Sequence, residues 1–153
     1  MKQLLFLSVL LFMACKGGQS NSNDTIQNVP FEEVVSGSQS KIETPQRKII
    51  ANQNELESLF KKINSTRSPE ISIPKVDFEK HQLAFINMGQ TSTGGYTVSV
   101  ERIEKTDSNV VVHIGGTSPN PGDNVTMALT TPFTLVQFAK QELPIVFEPK
   151  VER

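Results

Sequence analysis

Tryptophan is missing from this chain, tyrosine occurs once, histidine twice and cysteine once among 153 residues. Each shortage closes a class of function. With Tyr96 alone, the exposed ring platforms on which sugars stack are not available. His81 and His113 have no second His or Cys at ligand spacing, and no H-x-H, H-E-x-x-H or C-x-x-C occurs, so no metal site is read. A lone cysteine has no partner for an intramolecular disulfide, which leaves stability to packing. No G-x-S-x-G elbow is present for a serine nucleophile, and Asp123 reads as a turn residue. Gly94-Gly95 leads into a strand and Gly115-Gly116 ends one, whereas a phosphate cradle must open a helix, so no nucleotide is expected. No basic run is longer than the pairs Arg47-Lys48 and Lys61-Lys62, which read as solvated faces. With a net charge of -1, nucleic acid is not an expected partner. The two histidines are expected at the surface, and no cofactor is expected.

What is present begins at the amino terminus. Met1-Lys2 precedes an apolar run of about 11 residues, Leu4 to Ala14, that ends directly at Cys15. A short positive segment, a short apolar one and a small residue before cysteine describe a bacterial lipoprotein signal peptide. The run is well short of the ~20 residues that a spanning helix needs. Phe12 and Met13 stand where such sites usually carry Leu and then Ala or Ser. Residues 1–14 are therefore expected to be removed, with Cys15 carrying acyl chains that hold the protein to a membrane of the bacterial cell envelope. Each buried methylene contributes about 0.8 kcal/mol, so two or three chains anchor stably. Residues 15–29 are expected to form a flexible polar tether, because Lys16 to Asp24 contains no apolar side chain.

Residues 30–153 are expected to form a single β-rich domain. One amphipathic helix is predicted near 53–64: Asn52 caps it, Glu55 reaches back, and Leu56, Leu59, Phe60 and Ile63 fall on one stripe. Strands are predicted at Phe31–Val35, Arg47–Ala51, Leu83–Met88, Tyr96–Lys105, Val110–Ile114, Phe133–Phe138 and Ile145–Phe147. Leu83 to Ile86 is apolar on both faces and suits a central strand, while the segments either side of Thr106–Asn109 form a hairpin. The fold class is mainly β (α+β), an antiparallel β-sandwich or open barrel carrying that one helix.

Thr93-Gly94-Gly95-Tyr96 enters an alternating strand, a valine-rich strand follows, and then come Ser118-Pro119-Asn120-Pro121-Gly122-Asp123 and Leu129-Thr130-Thr131-Pro132-Phe133. In this order the pieces resemble the C-terminal domain of the PrcB family, over about residues 77–138, with Phe133 where the family often has Tyr. The resemblance implies an accessory lipoprotein of a surface protease complex. It singles out Thr93, Gly94, Gly95, Tyr96, Pro119, Pro121 and Gly122 as candidate interaction loops. Physically, Gly94-Gly95 permits positive φ, and Pro119 and Pro121 stiffen a loop whose turn Gly122 completes. The expected function is a lipid-anchored, non-catalytic protein-binding or scaffold module whose partner is another envelope protein, such as a protease. The alternatives are a small envelope hydrolase or a carrier of a small apolar ligand.

Overall fold

The computed structural model describes residues 25–149. The cysteine and signal-peptide expectations lie outside the described residues. Eight strands and one helix follow in the order β1 (Gln27–Asn28), β2 (Phe31–Gly37), β3 (Gln46–Ile50), α1 (Gln53–Ile63), β4 (His81–Asn87), β5 (Thr97–Lys105), β6 (Val110–Thr117), β7 (Phe133–Ala139) and β8 (Ile145–Pro149). They form two four-stranded sheets, β1-β5-β6-β8 and β2-β7-β4-β3. The architecture is a sandwich and not a closed barrel. All pairings are antiparallel except β6 with β8, which run parallel from Val110 opposite Ile145 to Ile114 opposite Pro149.

Strand β4 shows why the sequence folds this way. Its residues alternate between two buried environments, as its unbroken apolar run requires. Ala84 and Ile86 pack toward the first sheet with Val98, Val100, Ile103, Val110, Val112 and Ile114. Leu83 and Phe85 pack on the other side with Leu56, Leu59, Phe60 and Ile63 of α1. The result is three layers: sheet, sheet, helix. Helix α1 starts as its cap predicts, with the Glu55 N–H donating to Asn52 Oδ1 at 3.0 Å and the Ala51 N–H to Glu55 Oε2 at 3.2 Å. Lys61 and Lys62 occupy its last turn, where positive charge suits the helix dipole. Among the described residues, no helix is long and apolar enough to cross a membrane.

Two expectations are corrected. The ordered sheet begins inside the segment read as tether: Gln27 and Asn28 pair with Lys105 and Glu104, and Val29 is buried. Val29 also donates its N–H to the Ile103 carbonyl at 2.8 Å, so a single apolar residue closes the end of the inter-sheet core. His81, expected outside a strand, is the first residue of β4 and half-buried.

Candidate docking platform

The segments linking β4 to β5 (residues 88–96) and β6 to β7 (residues 118–132) leave the same end of the sandwich and are bonded to each other. The Thr91 N–H donates to the Thr130 carbonyl at 2.8 Å, Thr130 returns the bond at 3.1 Å, and the Gly94 N–H reaches the Thr126 carbonyl at 2.9 Å. Hydroxyls brace the same junction. Thr91 Oγ1 and Thr130 Oγ1 lie 2.6 Å apart, one hydroxyl donating to the other, and both stand 3.0 Å from the Thr93 carbonyl oxygen. On its other side, the second loop is held by the chain after β2: the Ser40 N–H bonds the Thr131 carbonyl at 2.9 Å and the Thr131 N–H the Ser38 carbonyl at 2.8 Å. The loop 126–131 thus sits as the middle member of a small three-segment sheet.

Gly95 is fixed by close approach. Its φ is +88°, and a side-chain carbon there would stand 3.0 Å from Pro119 Cγ and 3.2 Å from Val125 Cγ1. Of the residues singled out by sequence, Thr93, Gly94, Gly95 and Pro119 therefore meet in one interface between loops, and half-buried Tyr96 follows at the entry to β5. Pro121 and Gly122 stand apart. They form the exposed turn in which the Asn120 N–H donates to Asp123 Oδ2 at 2.7 Å and the Asp123 N–H to the Asn120 carbonyl at 3.1 Å.

A buried polar hub supports the platform from below. Asn87, 2% exposed, accepts the Ser40 hydroxyl at 2.7 Å and donates to the carbonyls of Ile42 and Thr44, both at 2.9 Å. Ser40 Oγ in turn accepts the Ile42 N–H, and Thr131 Oγ1 accepts the Lys41 N–H, each at 3.1 Å. Every buried polar atom in this chain of contacts gains a partner, which is what lets a polar cluster rigidify rather than weaken a fold.

The residues that stand out on the platform were not legible as a site in the sequence. Met127 is 85% exposed and Leu129 61% exposed, on a loop held on both sides. Gln39 Nε2 donates to the Leu129 carbonyl at 2.9 Å, which fixes the backbone from which that side chain projects. The available signal is compositional: from Asn124 to Ala139 no residue carries a charge.

His113 occupies a different surface. On the outer face of the first sheet, His113 Nε2 lies 2.7 Å from Glu104 Oε2 and Nδ1 lies 3.6 Å from Glu148 Oε2. Both ring nitrogens face carboxylates, so neither is directed at a hydroxyl nucleophile. Arg102 Nε donates to Glu104 Oε1 at 2.9 Å. That bond, followed by the one from His113, holds the Glu104 carboxyl below its ordinary range. His113 sits on the face away from the core, as its alternation requires, but the two carboxylates leave its side chain only 15% exposed. Among the described residues, no group of three or more His, Cys, Asp or Glu side chains has the geometry to hold a metal ion.

No curated protein and no solved structure matches the chain. A family model does: residues 83–139, the stretch from β4 through both platform loops to β7, match the PrcB C-terminal domain.

Proposed function

We propose that this chain is a lipid-anchored, non-catalytic docking module of the bacterial envelope, serving a protein partner such as a protease or its complex. The observation that carries the reading is the exposed apolar pair Met127 and Leu129 on a loop braced from both sides. An exposed, uncharged apolar projection from a braced backbone fits recognition of another protein surface, because little backbone ordering entropy remains to be lost on binding. The family match over residues 83–139 supports association with a protease complex.

The direction of the chain supports the same arrangement. Strand β1 pairs with the Glu104–Lys105 end of β5, whereas the platform lies beyond its Thr97 end. Nine residues of β5 separate the two, about 30 Å at ~3.3 Å per residue. A module held by acyl chains on Cys15 would enter its fold at one end and offer the platform at the other. Anchoring then raises the local concentration of the platform at the membrane.

A photo-crosslinking residue at Leu129 in the acylated chain, within native envelopes, tests docking. Cross-links to one protein species that disappear when Met127→Asp is added support the reading, and their absence ends it. Metabolic labelling with a fatty-acid analogue tests the anchor. Label is expected on the native chain and not on Cys15→Ala, and equal labelling of both refutes acylation there.

A further inference from the structure

The two sheets do not close on each other at the platform end. Between them lies a cleft of about 550 Å³, within the ~300–1,000 Å³ range of binding pockets. Its floor is apolar and continuous with the inter-sheet core: Ile86, Val98 and Ile114. Gly116 lines it with backbone alone. Its φ is +142°, and a side-chain carbon there would collide with the Thr97 carbonyl oxygen, so the β6 backbone approaches β5 with no side chain between them.

One cation lines this cleft. Arg47 pairs across β3–β4 with Ile86, which packs toward the first sheet, so Arg47 shares that inward face. It is exposed and makes no ion pair among the described residues, whereas its neighbour Lys48 is paired with Glu55. The rim adds hydrogen-bonding groups at Gln46, Thr97, Thr117 and Ser118. Met88 and Thr97 also flank the first platform loop, and Ser118 opens the second, so cleft and platform adjoin.

We infer that the cleft receives an extended segment of the docked protein, with an apolar side chain on the Ile86–Val98–Ile114 floor and a neighbouring carboxylate on Arg47. This rests on the docking reading above and supplies the chemistry of the partner. An unpaired guanidinium selects an anion, because a charge-assisted, two-pronged bond is available only to a carboxylate or similar group. The polar rim fits the amide groups of a peptide, whereas an acyl chain leaves those groups without partners.

The test uses two fluorescent pentapeptides that differ at one position, leucine beside aspartate or leucine beside asparagine, titrated into the full chain. The aspartate peptide is expected to bind about tenfold more tightly, the size of one charge-assisted bond. Arg47→Gln is expected to abolish that difference, and Ser118→Trp, at an exposed rim position, to block both peptides. Unchanged melting temperatures establish that each variant is folded. Saturable binding of neither peptide, or the same preference in Arg47→Gln, overturns the proposal. The latter result leaves Arg47 as an inward charge that guards the β3 edge against pairing. Dodecanoate displacing the aspartate peptide at equal concentration also overturns it, because the cleft then takes acyl chains. Cross-links from Leu129 that survive Arg47→Gln unchanged, with no peptide preference, leave the platform reading standing and remove this one alone.

Discussion

The sheet β2-β7-β4-β3 is buried on both faces, and the two faces are built from different material. Toward α1 it presents Leu83, Phe85, Phe133 and Leu135, with Phe85 and Phe133 ring centroids 6.2 Å apart and tilted by 45°. Toward the other sheet it presents Ala84, Ile86 and Val136, with Phe138 at the end away from the cleft, against a layer rich in valine. Large rings bury the helix through few residues. Small β-branched side chains let two pleated sheets approach, but they do not fill the space where the sheets diverge. The cleft opens on the valine side for that reason, next to Gly115-Gly116.

The comparison is broken most directly by truncation. Phe85→Ala is expected to cost about 3–5 kcal/mol, because a fully buried ring leaves a cavity between sheet and helix. Ile86→Val, its neighbour on the other face, is expected to cost about 0.5–1.5 kcal/mol. Urea unfolding measures both, and a reversed order contradicts the two-material picture.

Asn87→Ala acts on the polar support between these layers and is expected to cost roughly 2–3 kcal/mol, since it strands the buried partners of its amide. Hydrogen exchange sharpens the prediction. Protection at the Lys41 and Ile42 amides is expected to fall further than at the centre of β6, and uniform loss would show the hub to be global.

The smallest expected effect is on the outer face. Bonds from Arg102 and then His113 depress the Glu104 carboxyl in the folded state. A depressed carboxyl stabilises the fold above its unfolded pKa and loses that contribution as pH falls through its folded pKa. Melting temperatures at pH 7 and in the acid carboxylate range should therefore converge more in Glu104→Gln than in the native chain. Identical acid sensitivity in the two proteins contradicts this account.

How much of this could be read beforehand depended on distance along the chain. Alternation in β5 and β6, the double-sided run in β4 and the Asn52 cap are local signals, and each element forms within three residues of its expected bounds. Strand β1 escaped because two polar residues carry no period, and Val29 alone does not announce burial. The parallel course of β8 escaped because Ile145 to Phe147 fixes no direction. The glycine and proline motifs marked both loops, but their meeting depends on bonds such as Thr91 to Thr130, 39 residues apart. Met127 and Leu129 gain significance only from that meeting, and the Arg47 cleft exists only once two sheets face each other.

The pairing of β1 has a mechanical side. Among the described residues, a pull from the amino-terminal side reaches the sheets first through Gln27 and Asn28, two residues opposite Glu104 and Lys105. This ribbon is expected to yield before β5 and β6, which are zipped along eight register pairs. Under tension between a fixed surface and a bound load, the first slack would come from peeling this short segment, and the platform would keep its shape.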